Sequence, residues 1–172
     1  MALDPPLDLP ADAVRAELAP LRNNFSVALY ACQNAFAVGA IVRVAHSFLA
    51  REIILIGSDA YYEKASMGME KYETVTRVAD EEAFAAHVSG RPIWAFEREP
   101  ATKSLYSSDP FPPGVVFVFG SERFGLPREL LAMADRVVAI PMYGVNNSFP
   151  VAIAAGIAMS EWARRRYAGA LI

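Results

Sequence analysis

The stretch Ile140 to Arg166, IPMYGVNNSFPVAIAAGIAMSEWARRR, carries a strand end through a polar loop into a long helix. Val137-Val138-Ala139-Ile140 is an apolar run of strand length, closed by Pro141. Tyr143 to Ser148 is polar and holds Gly144, Asn146 and Asn147. A helix is predicted from about Phe149. Ser148 suits its N-cap, because a hydroxyl there accepts a hydrogen bond from a first-turn N–H. Pro150 is tolerated only in that first turn, where its missing N–H had no partner anyway. Val151 to Trp162 is Ala-rich and apolar nearly all round, which predicts burial, and Arg164-Arg165-Arg166 puts cations where the helix dipole favours them. A strand feeding a polar loop into a helix N-terminus is a general ligand-binding arrangement. A capped core helix without a ligand gives the same pattern, so this stretch alone leaves both open.

Upstream, apolar strands alternate with helical patterns. Residues 1–22 read as a flexible start with a short helix, Ala11 to Leu18, ended by Pro20; 23–172 read as one domain. Val27 to Cys32 is a continuous apolar run, as a buried parallel strand requires. A loop, Gln33 to Ala37, leads to a helix over Val38 to Leu49 with Ile41, Val44, Ala45 and Phe48 on one face; Arg43 and His46, three apart, share another. Glu52 to Gly57 is the next strand. Tyr61 to Tyr72 reads as a loop or broken helix, and Thr74 to Val78 alternates like a half-exposed strand. Asp80 to Val88 opens with acids, as a helix start should. Pro92 to Phe96 is a strand, and Glu97 to Pro113 a connection. Val115 to Phe119 is the most hydrophobic strand, hence central. A short helix, Leu126 to Ala134, precedes the last strand, Val137 to Ile140. This order predicts an α/β fold with a mostly parallel sheet flanked by helices.

The composition narrows the functions available. Of 172 residues, 54% are hydrophobic, with a mean hydropathy of +0.23; that supports a substantial core and argues against disorder. No apolar run approaches the roughly 20 residues of a membrane span, and the acids and prolines at the N-terminus do not read as a secretory signal. A cytoplasmic location and no membrane partner are expected. The single cysteine, Cys32, rules out an intrachain disulfide and a cysteine-based metal site; it reads as a small core residue. The net charge of −3 argues mildly against nucleic acid, although a local basic patch is compatible with it.

Three polar loops leave the C-terminal ends of apolar strands: Gln33 to Ala37, Gly120 to Gly125, and Met142 to Ser148. Ligands bind at that edge of open α/β sheets. No G-x-G-x-x-G follows the first strand, and Leu126-Pro127 stands where a P-loop needs Lys-Ser/Thr. No histidine pair or acidic cluster points to a metal, so none is expected.

Val38-Gly39-Ala40-Ile41-Val42-Arg43-Val44-Ala45, Phe119-Gly120-Ser121-Glu122-Arg123-Phe124-Gly125-Leu126, and Ile140-Pro141-Met142 through Ser148-Phe149-Pro150-Val151 together resemble the three ordered motifs of the TrmH-like (SpoU) branch of the SPOUT RNA methyltransferases. The resemblance covers about residues 24–167. It implies a C-terminal trefoil knot, S-adenosylmethionine as cofactor, RNA as substrate (tRNA or rRNA), transfer to a ribose 2′-hydroxyl, and a homodimer binding RNA across both subunits. The cofactor would lie among Phe119, Gly120, Ser121, Glu122, Ile140, Met142, Gly144, Asn147, Ser148 and Phe149, with its adenine on main-chain groups near Gly120, Ile140, Met142 and Phe149. Arg43, Glu122 and Ser148 would be catalytic. A guanidinium holds its proton far above neutral pH, so Arg43 is expected to grip an RNA phosphate and stabilise the developing alkoxide, with Glu122 binding it and the loop N–H groups; deprotonation of the hydroxyl by the arginine itself, or relay of its proton to a phosphate oxygen, stays open. Asn146 and Asn147 either meet the methionine end of the cofactor or shape the turn. His46 and His87 read as surface residues, His46 near enough to Arg43 to contact RNA, and Arg22, Arg123 and Arg128 are scattered in sequence but able to converge near the strand edge. The first motif normally carries Asn where this chain has Ala37, and alanine offers no side-chain hydrogen bond. An alternative therefore stands: a catalytically impaired RNA- or cofactor-binding protein of the same fold, or one in which Asn34 substitutes. Little chain lies outside the motif-bearing stretch, so no separate RNA-recognition module is expected.

Overall fold

A computed structural model describes residues 9–57 and 62–166. The flexible start expected for the first residues lies outside the described residues up to position 8. Seven strands form one sheet: β1 (Phe25–Tyr30), β2 (Ile53–Ile56), β3 (Val75–Val78), β4 (Ile93–Phe96), β5 (Lys103–Ser104), β6 (Val115–Phe119) and β7 (Arg136–Ala139). Their spatial order is β3-β2-β1-β6-β4-β7-β5, and every strand pairing is parallel. β6, apolar and buried along its whole length, is the middle one, as the Val115 to Phe119 run predicts. The helices are α1 (Ala11–Leu18), α2 (Ala35–Ser47), α3 (Glu81–His87), α4 (Arg128–Met133) and α5 (Val151–Arg166).

Alternation along the strands builds two cores. Val27, Leu29, Phe117 and Phe119 face α2 and α5 and pack with Ile41, Ala155, Met159 and Trp162. Ala28, Ile54, Val116 and Val118 face the other way, against Phe84 of α3 and Leu130 of α4. Successive side chains of a strand point to opposite faces, so a fully buried strand serves both layers.

Several boundaries differ from the sequence reading, each for a local reason. Helix α2 starts at Ala35, not Val38, because Asn34 caps it: its Oδ1 accepts from the N–H groups of Phe36 (3.1 Å) and Ala37 (3.2 Å). Arg43 is therefore more than two turns into the helix rather than one. Helix α5 starts at Val151, not Phe149. A residue before proline is steered away from the helical region, so Phe149 stays outside. The Pro150 carbonyl accepts from Ile153 N–H (2.9 Å) and Ala154 N–H (3.0 Å). Ser148 thus stands two residues short of the N-cap position. Within α5, Ile153 is 52% exposed and Ser160 is exposed, so burial is not all-round. The connection after β4 holds the short strand β5, which extends the sheet beyond β7.

Helix α1 is fastened to the domain. It buries Val14 and Leu18, and Arg15 Nη2 donates to the Glu73 carbonyl at 3.1 Å.

Candidate functional site

In the parallel sheet β6, β4 and β7 are neighbours, so the loops at their C-terminal ends meet. They surround an open cleft with about 760 Å³ of space not filled by atoms, its mouth included. Phe96, Phe119, Val138, Val151 and Ala154 give it apolar walls. The loop after β6 doubles back: Gly125 N–H donates to Ser121 O (2.9 Å) and Phe124 N–H to Ser121 Oγ (3.2 Å). Gly120 lies directly on the Gly125 and Leu126 backbone, where a Cβ has no room. Gly125 has φ +66°, and a Cβ there would meet Glu97 Oε2 at 2.5 Å.

Glu97 and Arg98, directly after β4, tie the loops together. Glu97 Oε2 accepts from Leu126 N–H (3.1 Å) and its Oε1 from Arg98 N–H (3.0 Å). Arg98 Nη1 donates to Asn147 Oδ1 at 3.1 Å. The sequence reading missed both residues. The signal was available, since they follow an apolar strand at the ligand-binding edge, but they lie outside the three motifs.

Of the residues expected to hold a cofactor, Phe119, Gly120, Ser121 and Glu122 line this cleft, as do Ile140, Met142, Asn147, Ser148 and Phe149; Gly144 does not. Asn146 Nδ2 donates to Ser148 O (3.2 Å), and a Cβ on Gly144 would meet Asn146 Oδ1 at 2.8 Å. These two residues shape the turn. Asn147 is at the cleft, held by Arg98.

Glu122 and Ser148 are exposed at the cleft, whereas Arg43 is exposed on α2 and does not line it. No hydrogen bond joins Glu122 to Arg43 among the described residues. Arg43 is left with a guanidinium unpaired among the described residues; its backbone carbonyl accepts from Ser47 Oγ. Asn34 does not reach toward it, because its side-chain oxygen caps α2. Cys32 is buried, and burial first, then the negative charge of Glu122, pushes its thiol up to about 11. At neutral pH it is a protonated core residue, not a nucleophile.

Several other cations are structural, while Arg123 and Arg128 are exposed on and just after the β6 loop. Arg22 is not at the cleft: it precedes β1, at the opposite sheet edge, and donates to the fully buried Glu73 carboxylate at 2.6 Å. His46 is not a free surface residue either; its Nδ1 lies 2.8 Å from the other Glu73 oxygen. His87 Nε2 lies 2.9 Å from Glu52, which Arg91 also grips at 2.6 Å. Burial opposes the charge on Glu52, but the bonds from His87 and Arg91 outweigh it and lower the carboxyl. Arg164 and Arg165 pair with Glu161, Arg165 also stacks over Phe111, and Arg166 covers Trp162. Among the described residues no cluster of three or more His, Cys, Asp or Glu could hold a metal, and no helix is long and apolar enough to cross a membrane.

Comparison with known proteins agrees with this architecture. The model of the SpoU rRNA Methylase family matches residues 24–160. A Streptomyces laurentii protein named 23S rRNA (adenosine(1067)-2′-O)-methyltransferase is 33% identical over 136 residues, which is 74% of this chain and 50% of that one. The chain spans about half the length of the curated relatives it matches first. Among solved structures, an AdoMet-bound rRNA methyltransferase from Sinorhizobium meliloti superposes with a TM-score of 0.78 at 28% identity, over 90% of this chain and 61% of that one. An A. aeolicus TrmH/SpoU tRNA modifying enzyme gives 0.77 at 25% identity, over 91% and 82%.

Proposed function

The chain belongs to the SpoU rRNA Methylase family, and from that premise we propose that it methylates a ribose 2′-hydroxyl of tRNA or rRNA with S-adenosylmethionine. The observation that carries the reading is the cleft closed by the second and third motif loops at one sheet edge. Its chemistry fits the cofactor. Apolar walls suit a flat adenine, loop main-chain groups supply hydrogen bonds, and the Arg98 guanidinium at the cleft suits the carboxylate of an amino-acid tail. Gly120, Ile140, Met142 and Phe149 would hold the base; Asn147 and Ser148 lie toward the polar mouth. The C-terminal trefoil knot belongs to this reading as well.

The cofactor supplies an electrophilic methyl group. This chain must hold the ribose hydroxyl and stabilise the charge that grows on its oxygen. The guanidinium of Arg43, unpaired among the described residues, is protonated at neutral pH; it would bind the phosphate beside the target and lower the energy of the alkoxide while the hydroxyl proton passes to an oxygen of that phosphate and on to solvent. Glu122 and Ser148, at the cleft, would orient the hydroxyl. Arg43 stands outside the cleft lining, which is consistent with a second copy completing the arrangement. An apolar groove between α2 and α5 is lined by Val44, beside Arg43, and by Tyr106, Ile153 and Ile157. Ile153 and Tyr106 are 52% and 55% exposed. Covering such a patch with its symmetry mate is how dimers form, and we assign the homodimer to it.

Binding is tested by calorimetry with S-adenosylmethionine and its demethylated product. Binding of either, with a rise in melting temperature, is expected; no heat and no rise at saturating ligand would sink the cofactor assignment.

A further inference from the structure

Three aromatic side chains stand exposed just past the ends of three adjacent strands. Tyr62 follows β2 and is 42% exposed, Phe36 follows β1 and is 65% exposed, and Phe124 follows β6 and is 73% exposed. Because β2, β1 and β6 are consecutive and parallel, all three emerge at the edge that carries the cleft. An exposed large aromatic ring forgoes burial worth keeping, and three at one edge call for an explanation.

Phe36 and Tyr62 form a pair with ring centroids 4.7 Å apart. The backbone holds it: Tyr62 N–H donates to Ala35 O at 3.3 Å. Gly39 lets α2 lie close on the segment after Tyr62, since a Cβ there would meet Ala65 Cβ at 2.6 Å and Tyr62 O at 2.9 Å. The pair is therefore built into the packing of α2. Phe36 and Arg43 are seven residues apart on this helix, so they share a face at a separation of about 10 Å along the axis. Arg123 lies over the Phe124 ring at 5.0 Å from its centroid. Exposed rings interleaved with cations are what single-stranded nucleic acid binds: backbone to the charge, bases to the rings.

Resting on the methyltransferase reading, we propose that the Phe36–Tyr62 pair is a stacking platform for an unpaired RNA base next to the nucleotide whose ribose is methylated. Arg43 holds the phosphate while the neighbouring base lies on the rings. The platform selects loops and bulges, whose bases are free to splay out, over continuous duplex.

Native protein and the variants Phe36→Ala, Phe36→Leu and Phe36→Trp are titrated with fluorescently labelled bulk tRNA and rRNA, and separately with S-adenosylhomocysteine by calorimetry. The Ala and Leu variants should bind RNA about 5- to 160-fold more weakly, the range for losing one base–ring stack. Phe36→Trp should bind as the native protein does, and the emission of its added indole should be quenched by tRNA but not by a blunt RNA duplex. Melting temperature and S-adenosylhomocysteine affinity should not change. Native-like RNA binding by Phe36→Ala, equal binding by Leu and Phe, or an indole unmoved by bound tRNA would overturn the platform; a surface that docks protein would behave that way. If the native protein binds no RNA at all, the methyltransferase reading fails and the platform with it. If native protein transfers methyl groups while the Phe36 variants stay indifferent, the platform alone fails.

Discussion

Arg43 and Glu161 carry their charges for different ends. Arg43 is unpaired among the described residues, and a charge-assisted contact made mostly in the transition state would account for it. Arg43→Ala should lower turnover about 100-fold or more. Arg43→Lys should rescue only part, since the bidentate fork is lost, and cofactor affinity should stay within a few-fold in calorimetry. Glu161 is buried beside two arginines. The Arg164 hydrogen bond holds its carboxyl down to about 2, burial opposing and Arg165 assisting. A folded-state value depressed below the ordinary 4.5 means stability that is fully present above 4.5 and lost as pH falls toward 2. The melting-temperature gap between native protein and Glu161→Gln should be constant above about pH 5.5 and narrow below 4.5; a gap independent of pH would refute the pairing. At this scale the sequence was partly legible. Cys32 reads as core from its apolar neighbours. His46 and His87 read as surface because their partners, Glu73 and Glu52, are 27 and 35 residues away in the chain, and no local pattern encodes such a pairing.

Helices and loops are where close backbone approach matters. Gly39 allows α2 to meet the turn at Ala65, and Gly120 allows the β6 loop to fold on itself. Gly39→Ala should cost about 1–3 kcal/mol by overpacking, measured by urea unfolding. Gly120→Ala forces a Cβ against the Gly125 and Leu126 backbone beside the cleft. It should abolish the melting-temperature rise that S-adenosylhomocysteine gives the native protein; a preserved rise would show that this loop does not shape the cofactor site. The elements themselves were readable, because apolar runs such as Val115 to Phe119 and the acid-led start of α3 carry their own signals. What escaped was β5, two residues long and without a hydrophobic signature, and the true starts of α2 and α5. Asn34 looked like part of a loop although its amide is a helix cap. At α5, the steric demand of Pro150 on Phe149 outweighed the capping chemistry expected of Ser148.

For the whole molecule, the strand–helix alternation predicts the parallel sheet and two-sided core that the structure has, and β6 at its centre. The assembly is less legible, since α5 reads as buried from composition alone while Ile153 is exposed. A partner for that face is a matter of surface geometry. Ile153→Glu should shift a dimer to monomer in sedimentation at micromolar concentration without changing the fold; a native protein already monomeric there would remove the dimer assignment. The central claim is methyl transfer to RNA ribose, and one measurement reaches it directly. Purified protein is incubated with bulk tRNA and rRNA and S-adenosylmethionine labelled in its methyl group, and the product is digested to nucleosides. The account predicts label in a 2′-O-methylnucleoside, and little or none with Arg43→Ala. Label confined to bases, or no label from a protein that binds both the cofactor and RNA, would contradict it and favour a binding protein in which Ala37 has replaced a residue the chemistry requires.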